Sequence, residues 1–582
     1  MRVHPRPRRI LISRPVPERD HAAALFRLIL APERRFYGTV FVYGIAVSTL
    51  SLALPLSVQV LIGTVTNTGL VRPVVVLALV LFTLLTLSAL FAAMQVYVME
   101  LFDRRFFTRI VSEVTLRLIY ALPSHMNSIN RDELVNRFFD IMTVQKSLPP
   151  LLVGGLGTVL QITVGVAVTS FYHPMFLFFN AATLIFGYLV FRLFHRGAAT
   201  SSLALSSTKY ATANWLETLA RSNDLFKSRR AIEHALKRTE QANADYVTDH
   251  RRHFRFTFAQ ILGFLFIYAL TSSTLLGVAG WLVIKGELTI GQLVAAELIL
   301  TAIFYGLGRT GYYLELYYDL YAAMSKLSQL YRIPHEQAIG HEIPEAWEPA
   351  ITFSGVKASL HGHDMLMTFS LPPGGSTLIA TRSSAQIITF TDLLLRKQPV
   401  EHGRVSLGDY DIADLNPQAL RDAVHVIDAT DFPDCSIAEF IAIARPNIGR
   451  PEIRKLLRDV GLAVDSPTIA LDLDRIITPD GSPLSTAGVV KLKIAYAIAS
   501  RPRILVLTPV FDMLSRESRE SVLRCIHATL PDTGLLCFSH RQDSEMFDRY
   551  MLWDYLHQHE HEDLEHLMAA YTGVLESSAR DA

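Results

Sequence analysis

Six apolar stretches lie in the first 330 residues of this 582-residue chain, and each has the length of a bilayer-spanning helix. A helix crosses the hydrocarbon core of a membrane with about 20 apolar residues. The stretches occupy residues 37–62, 74–98, 151–171, 175–194, 259–284 and 293–313. The second-to-third and fourth-to-fifth connections are long, and apolar residues recur in them every three to four positions. This pattern predicts that the spanning helices continue well beyond the membrane.

Charge gives these helices an expected orientation. The two long connections are rich in arginine and lysine, whereas the three short connections carry little net charge. Because basic residues concentrate on the cytoplasmic side, we expect the long connections and both termini there, in a multi-pass protein of the inner (plasma) membrane. Residues 1–35 hold nine arginines and precede the first span, so they are expected to form a basic cytoplasmic tail attracted to the lipid bilayer.

Composition agrees with a membrane protein and narrows its partners. Half of the residues are hydrophobic and only 19% are charged, below the roughly 25% that is typical of soluble domains. A net charge of +1 gives no support for nucleic acid as a partner. The three cysteines lack metal-ligand spacing and are expected to be reduced thiols.

One acidic residue within a predicted span is a candidate for transport chemistry. Glu297 lies in the sixth span, and ionisable groups inside membranes are costly and often functional. Two interpretations stay open. If Glu297 faces a cavity at depth, it could bind a cation or relay a proton; if it lies near the outer end of its span, water solvates it.

From residue 350 onward, short apolar strands alternate with helices. Five segments are similar to parts of an ABC ATPase domain: 351–356 to its opening strand, 378–396 to the strand, loop and helix of its Walker A stretch, 403–415 to its hairpin, 436–446 to the start of its helical subdomain, and 504–507 to its Walker B strand. In this order and at these spacings, the segments resemble the ATPase domain of ABC transporters. The six spans with long helical extensions resemble the transmembrane domain of ABC exporters.

The resemblance covers roughly residues 36–575 and implies an exporter-type ABC half-transporter. Its fold would be an α-helical membrane domain of six transmembrane helices, followed by an α/β nucleotide-binding domain like that of P-loop NTPases. The implied segments are the basic tail 1–35, the transmembrane domain 36–330 with two cytoplasmic coupling loops, a linker 331–349, the degenerate nucleotide-binding domain 350–575 and a tail 576–582.

The phosphate-binding loop of this family, G-x-x-x-x-G-K-[ST], has lost its characteristic residues here. Glycines let consecutive backbone N–H groups converge on phosphate, and the lysine neutralises its charge. The loop aligns without a gap, and its eight positions, Thr381 to Ile388, include Arg382, Ser383 and Ser384. Thr381 and Gln386 replace the two glycines, Ile387 the lysine and Ile388 the hydroxyl residue.

The other catalytic positions are also changed. Asp428 aligns with the glutamine of the Q-loop, and Thr508 and Pro509 follow the Walker B strand where Asp and Glu are expected. The signature L-S-G-G-Q is Leu-Ser-Thr-Ala-Gly at residues 484–488, so that only Ser485 is left to contact a partner's nucleotide. The switch histidine is unchanged as His540. We expect it to be an inert remnant beside an empty site.

These losses predict weak nucleotide binding. A hydrogen bond to a charged group contributes about 1.5–3 kcal/mol, so the loss of two weakens binding roughly a hundred-fold to ten-thousand-fold. We expect no firm cofactor; ATP and Mg²⁺ would bind only if the pocket has been remodelled to hold them. A metal site at the histidines of residues 557–566 is a further alternative, and solvation of these side chains is the simpler one.

The sequence therefore predicts a pseudo-ATPase subunit that acts in a homodimer, or in a heterodimer with an active ABC half-transporter. It would export, or regulate the export of, a peptide, protein or lipid-like substrate, with periplasmic or outer-membrane components as further partners. Two other functions remain open. The chain could be a membrane scaffold or sensor that transports nothing, or a transporter driven by an ion gradient through Glu297.

Overall fold

The computed structural model describes residues 29, 31–67, 71–128, 131–344, 350–360, 363–381, 383–428, 432–465, 472–541, 543–554 and 556–580. Most of the basic tail and position Arg382 lie outside these residues. The chain divides into two compact units. The first comprises Met1–Ala121 and His125–His335, and the second comprises Leu122–Ser124 and Glu336–Ala582.

Long helices build the first unit. They are α1 (Arg34–Leu50), α2 (Ala53–Asn67), α3 (Val71–Ile119), α4 (Pro123–Ser128), α5 (Arg131–Pro150), α6 (Leu156–Ser170), α7 (Pro174–Arg221), α8 (Arg229–Ile284), α9 (Ile290–Gly308) and α10 (Thr310–Leu330). Helices α3, α7 and α8 have 49, 48 and 56 residues. At 1.5 Å per residue each is roughly 70–85 Å long, more than twice the thickness of a membrane core. The predicted helical extensions are therefore confirmed.

Five helical segments of the described part are long and apolar enough to cross a membrane. They are Ala31–Val65, Val71–Ile119, Phe138–Ser170, Pro174–Arg221 and Arg229–Ile284. The predicted sixth span coincides with a shorter apolar segment, Ile290–Ile303. Length and composition thus agree with five predicted spans and give a shorter helix for the sixth.

Two predicted spans are interrupted. The stretch 37–62 was expected to be one helix, but α1 ends at Leu50 and α2 begins at Ala53. Pro55 has no N–H to donate to the Ser51 carbonyl, and its ring would clash with that carbonyl in a continuous helix. The break at 51–52 places Pro55 in the first turn of α2, where proline is tolerated. The stretch 293–313 is divided at Arg309, between α9 and α10. Glycines at 306, 308 and 311 surround this position, and glycine is unfavourable in a helix interior.

A turn of π-helix, Leu151–Gly155, joins α5 to α6 directly after Pro149 and Pro150. The Tyr313 ring lies against this turn: a Cβ added to Gly154 would come within 2.2 Å of the Tyr313 hydroxyl. Glycine also allows α7 and α8 to approach closely, since a Cβ at Gly197 would meet the Phe256 ring at 2.4 Å. Small residues at such contacts are typical of helices packed within membranes.

The second unit is built on three sheets. A four-stranded antiparallel sheet has the order β2-β1-β4-β5, and a six-stranded sheet has the order β12-β11-β3-β10-β9-β6. The strands are β1 (Ile351–Leu360), β2 (His363–Leu371), β3 (Ser376–Thr381), β4 (His402–Leu407), β5 (Tyr410–Asp411), β6 (Val424–Ile427), β7 (Cys435–Ser436), β8 (Ile476–Ile477), β9 (Ile504–Leu507), β10 (Gly534–Ser539), β11 (Arg549–Trp553) and β12 (Gln558–His561). Strands β11, β3, β10, β9 and β6 are mutually parallel, and β7 pairs with β8.

The described residues of this unit also form eight α-helices. They are α11 (Ser384–Leu394), α12 (Pro417–Ala423), α13 (Ile437–Ala444), α14 (Arg450–Asp459), α15 (Leu462–Asp465), α16 (Thr486–Ser500), α17 (Arg516–Thr529) and α18 (Leu564–Arg580). The strands and helices expected at 351–356, 378–396, 403–415, 436–446 and 504–507 are all confirmed. The three cysteines are free.

An aromatic core supports the central strands. Phe390 of α11 is fully buried, and its ring centroid lies 5.3–5.4 Å from those of Phe353, Phe538 and Trp553. Phe369 stacks on Phe353 at 4.9 Å. Helix α11, which follows the phosphate-loop position, is therefore fixed to both large sheets through one side chain.

Candidate functional site: the carboxyl edge of the parallel sheet

Most of the positions that the sequence singled out meet at one edge of the six-stranded sheet. Parallel strands end at the same edge, which is where open α/β sheets bind ligands. Thr381 ends β3, His540 follows β10, Thr508 follows β9, and Asp428 follows β6. The strand order β3-β10-β9-β6 places these four positions side by side.

The connection between β3 and α11 is too short to be a phosphate loop. Strand β3 ends at Thr381 and α11 begins at Ser384, with Ser383 as its N-cap. Three residues that the family resemblance assigns to the loop, Ser384 to Gln386, therefore belong to the helix. The helix starts early because Ser383 caps it: its Oγ accepts from the Ala385 N–H at 3.2 Å, and its carbonyl accepts from the Gln386 N–H at 3.1 Å.

Side chains close what remains of this connection. The Thr381 hydroxyl donates to Oε1 of Gln386 and accepts from the Ser383 N–H. Thr381 is fully buried and Gln386 is 3% exposed. Both glycine positions of the loop thus carry side chains that bond to each other, and they occupy the space beside the backbone N–H groups.

The residues at the lysine and hydroxyl positions point to different environments. Ile387 is 4% exposed and packs in the core beneath the sheet, whereas Ile388 is 49% exposed. Neither side chain can donate a hydrogen bond or neutralise a phosphate. Burial of Ile387 also shows that this position now contributes to folding rather than to ligand contact.

A buried carboxylate, Asp512, fastens the end of β10. Its Oδ1 accepts from the Ser539 hydroxyl at 2.6 Å, and its Oδ2 accepts from the His540 N–H at 2.8 Å. Burial raises the pKa of Asp512, while these two hydrogen bonds lower it. The family's S-A-L-D motif, which follows Walker B, aligns with residues 512–515, and its serine position is Asp512 here. Motif comparison therefore assigned this residue no role. The signal was an acid shortly after an aliphatic strand.

His540 is held by its own chain. Its Nδ1 lies 3.1 Å from the Thr381 carbonyl, and its backbone bonds to Asp512. If Nδ1 carries the proton, the ring donates to Thr381 and ties the end of β10 to the end of β3. The single unchanged motif residue therefore has a structural partner at the loop.

The Walker B positions are likewise used internally. The Thr508 hydroxyl donates to the Ile427 carbonyl at 2.8 Å, and the Thr508 N–H reaches the same oxygen at 3.1 Å. Pro509 begins a 3₁₀ turn, Pro509–Met513, that carries Asp512. Thr508 thus links the end of β9 to the end of β6, where the family resemblance would place a magnesium ligand.

The electrostatic environment disfavours a polyphosphate. Asp428 is exposed at the end of β6, and Asp392 lies on α11. Burial raises the pKa of the Asp392 carboxyl and nearby Asp428 raises it further, while Lys397, with Nζ 3.5 Å from Oδ1, lowers it. Asp392 is in the last turn of α11, roughly 12 Å from the start of the helix, so Asp428 is the acid at this edge that would repel phosphate oxygens.

Ser485 lies apart from this edge, at the start of α16. Its Oγ accepts from the Gly488 N–H at 3.1 Å and so caps the helix. Ser485 and Thr486 are exposed. The signature segment therefore keeps a well-formed helix start, in contrast to the phosphate loop.

The residues present do not fit ATP with magnesium. The loop N–H groups of Ala385 and Gln386 are bonded to Ser383, the glycine positions are filled, and the lysine position is buried aliphatic. Among the described residues, no group of three or more His, Cys, Asp and Glu side chains could hold a metal ion. No catalytic step through a nucleotide is therefore derived for this edge.

Glu297, in the first unit, has a different environment. It lies on α9 and is only partly exposed, and its carboxyl oxygen Oε2 is buried without a hydrogen-bond partner among the described residues. Other buried polar atoms of this unit also lack a hydrogen bond among the described residues, for example His195 Nδ1 and Asp103 Oδ1, whereas some polar side chains have one. Asn180, for example, donates to Thr169 Oγ1 and to Ser170 Oγ, both at 3.0 Å.

Comparison with known proteins gives relatives by sequence and by fold. No family model matches the chain. An ABC multidrug transporter, mdr2, of Aspergillus fumigatus is 28% identical over 275 residues, which are 45% of this chain and 34% of that protein. An ATM1-type heavy metal exporter of Novosphingobium aromaticivorans is 24% identical over 278 residues, 45% of this chain and 44% of the relative. The alpha-hemolysin translocation ATP-binding protein HlyB of Escherichia coli O157:H7 is 23% identical over 265 residues, 45% and 38% respectively.

The matched regions thus span a third to somewhat under half of these relatives. A solved structure of a bacterial Atm1-family ABC exporter with ATP bound covers 96% of this chain and 99% of its own, with a TM-score of 0.77 at 17% identity. The chain therefore has the fold of an exporter-type ABC half-transporter, with a multi-pass helical membrane unit and an α/β unit, and its relatives by sequence are ABC exporters.

Proposed function

We propose that this chain is the membrane-spanning subunit of an ABC-type exporter and that its own nucleotide site neither holds nor hydrolyses ATP. One observation carries the proposal: α11 begins at Ser384, inside the segment that would have to be a phosphate loop. The bond between Thr381 and Gln386 and the buried Ile387 support it. These side chains already bond or pack within the chain, so a nucleotide would have to displace several internal hydrogen bonds.

The subunit acts as a dimer in the cytoplasmic membrane, with both termini in the cytoplasm. Support for the membrane comes from the five long apolar helices, and support for the orientation from the basic long connections. The partner is a second copy or an active half-transporter. Exposed Ser485, on an intact helix start, is the group that would face a partner's nucleotide.

The substrate class is a peptide, protein or lipid-like molecule. The relatives include a multidrug transporter, a heavy metal exporter and a hemolysin translocation protein, so their names do not favour one class. Periplasmic or outer-membrane components would complete an export route for a polypeptide.

The experiment that tests the proposal is nucleotide binding and hydrolysis by the purified full-length chain in detergent or nanodiscs. Labelled ATP with Mg²⁺ is titrated to millimolar concentration, and phosphate release is followed in the same sample. An ABC exporter with intact motifs is the positive control. We expect neither saturable binding nor turnover.

A His540→Ala variant makes this test specific. Phosphate release by the wild type that disappears in His540→Ala would show that the chain hydrolyses ATP with its own site, and the proposal would be wrong. Equal background release by both proteins would identify a contaminant and leave the expected result in place.

A further inference from the structure

Glu297 is the one acidic residue within the six predicted spans, 37–62, 74–98, 151–171, 175–194, 259–284 and 293–313. Glu297 Oε2 is buried and accepts no hydrogen bond from any residue that the structure describes. Ionisable groups within membrane spans are rare and often functional. A proton removes the charge without requiring any rearrangement of neighbours.

The position of Glu297 along α9 places it inside the unit. The end of α9 near residue 290 is marked by polar contacts, since His173 Nε2 lies 3.3 Å from Glu287 Oε2, and Lys285 Nζ lies 3.8 Å from the centroid of the Trp281 ring. Glu297 comes seven residues after Ile290, or roughly 10 Å farther along the axis. It is therefore about a third of a membrane core away from this polar end.

Glu297 lies at the border between a packed and an open face of α9. One side of the helix contacts α2 and α6 closely: a Cβ at Gly291 would come within 3.0 Å of the Gln59 carbonyl, and a Cβ at Gly165 within 2.9 Å of Ile299. A second side, with Ala296 and Leu300, packs into a cluster with Leu275 and Ala279 of α8.

Residues on the remaining side of α9 are exposed. They are Ile290 and Thr301, which lie on the same face as Glu297. A small movement at this border would bring the carboxyl group from apolar neighbours to the open face.

The helices packed against α9 offer Glu297 no counter-charge. Helices α2 and α6 contain no Asp, Glu, His, Lys or Arg, and the apolar part of α8, residues 259–284, contains Tyr268 as its single titratable side chain. The start of α10 adds Arg309, Tyr312, Tyr313 and Glu315. Arg309 is twelve residues from Glu297, or roughly 18 Å along the helix axis, too far for an ion pair.

A proton suits this site better than a metal cation. Hard cations are held by several oxygen ligands at once, and the described residues contain no cluster of three or more acidic or histidine side chains. One carboxyl group is sufficient to bind one proton. Binding converts Glu297 from COO⁻ to COOH, and release to the opposite side returns it.

We propose that Glu297 is a proton-binding residue through which a transmembrane proton gradient, in place of ATP, drives the conformational cycle of this chain. The inference rests on the proposed function, because a site that turned over ATP would make a second energy source unnecessary. The charged form favours the arrangement in which Glu297 meets water, and the neutral form favours the arrangement in which it lies against apolar side chains. A bound proton therefore shifts the population between the two.

The direct test is an infrared pH titration of the full chain in lipid bilayers. Protonation of a carboxylate produces a carboxylic-acid C=O band as the carboxylate bands fade. Other buried acids such as Asp512 and Asp392 contribute to this band in every variant, so the spectrum of Glu297→Gln is subtracted from that of the wild type. We expect a carboxylic-acid component in this difference spectrum and none when Glu287→Gln is subtracted instead. Glu287 is the matched control, because its side chain is 48% exposed and bonded to His173. A difference spectrum of Glu297→Gln without such a component overturns the proposal.

A second measurement follows charge movement. Proteoliposomes on a solid support receive a pH step, and the resulting transient current is recorded. We expect a current in the wild type and in Glu287→Gln, and its loss in Glu297→Gln. A current evoked equally by a sodium step at constant pH would assign the site to a metal cation and contradict the proposal. Glu297→Asp keeps a carboxyl group, so it should retain the current with an altered pH dependence even if Glu297→Gln folds poorly.

The two proposals fail in different ways. ATP turnover that depends on His540 contradicts the proposed function, whatever the infrared band does. Absence of nucleotide binding together with an unchanged band in Glu297→Gln contradicts the proton site and leaves the proposed function standing.

Discussion

The carboxyl edge of the parallel sheet and helix α9 differ in whether their polar side chains have hydrogen-bond partners within the chain. At the sheet edge three of the four strand-end residues have a partner within the chain: Thr381 with Gln386, Thr508 with Ile427, and His540 with Asp512. The fourth, Asp428, is exposed. On α9, the Glu297 carboxyl oxygen has none. Internal satisfaction stabilises a fold and removes groups from ligand binding, whereas an unsatisfied buried acid is costly and calls for a function. This contrast supports the proposed proton site on α9.

The largest effect is expected from a change in the aromatic core that supports the sheet edge, because this edge is one side of the contrast. Phe390→Ala should destabilise the second unit by about 3–5 kcal/mol, because a fully buried ring in contact with four aromatic side chains leaves a cavity. Urea-dependent proteolysis of the second unit measures the change in its free energy of unfolding. Ile443→Ala, at a position that is 61% exposed, is the control and should change it by less than about 0.5 kcal/mol.

Asp512→Ala tests whether the edge is a folding device. The His540 N–H loses its acceptor, whereas the Ser539 hydroxyl can still donate to the Arg541 carbonyl at 2.8 Å. One unsatisfied buried group costs about 1–3 kcal/mol, and we expect a loss of that size in the same unfolding assay. Asp512→Asn keeps one acceptor oxygen and should lose less. Equal, negligible effects of both changes would show that the edge is not fastened by this residue.

The pH dependence of the free energy of unfolding is a second test of the role of Asp512. Since burial raises the pKa of Asp512 above its ordinary value of 3.8, the folded state binds this proton more readily than the unfolded state does. Its contribution to stability therefore increases as pH falls from the folded pKa towards 3.8, by up to about 1.4 kcal/mol per pH unit. The difference in unfolding free energy between wild type and Asp512→Asn should grow in favour of the wild type over that range. A difference that does not vary with pH would contradict the assignment.

The two serine caps provide a comparison within the second unit. Ser383→Ala removes the acceptor of the Ala385 N–H, and Ser485→Ala that of the Gly488 N–H. Each should cost about 1 kcal/mol in the unfolding assay. A different result would be that Ser383→Ala leaves stability unchanged and binds ATP. The early start of α11 would then depend on this cap alone, and the segment after β3 would still be able to form a phosphate loop.

The smallest effect is expected in the membrane unit. Asn180→Ala removes hydrogen bonds to Thr169 and Ser170, and such bonds between membrane helices contribute about 0.6 kcal/mol on average. Thermal unfolding of the unit in detergent measures the change. Glu297→Gln removes no hydrogen bond among the described residues, so we expect it to abolish proton binding and to change thermal stability little. A lower thermal stability with unchanged proton binding would show that Glu297 has a structural role, and the contrast with the sheet edge would disappear.

Much of the fold followed from local patterns, and the exceptions have local causes. Apolar periodicity located the long helices, and four aliphatic residues located β9. Pro55 is the sequence signal for the break between α1 and α2, but the apolar residues continue across it, so the apolar pattern alone predicts one span. The early start of α11 was also encoded: Ser383, in a segment without glycine, is a good N-cap.

The bonds of the sheet edge could not be found in the same way. His540 meets Thr381 because β10 lies beside β3, and these positions are 159 residues apart in the chain. Asp512 was concealed by its alignment with a serine, since a family motif assigns roles by position and says nothing about a new side chain in a neighbouring turn. Similarly, the sequence placed Glu297 in a span but could not show which of its oxygens lacks a donor.

The π-turn at Leu151–Gly155 has a consequence for comparing this chain with its relatives. A π-turn contains one more residue than the α-helical turn it replaces, which is the product expected from a single inserted residue. Removing that residue would restore a continuous α-helix and rotate one flank by about 100° relative to the other. If residues 151–155 are aligned without a gap to a relative whose helix lacks the π-turn, the residues of either α5 or α6 are therefore matched to residues on a different face of that helix.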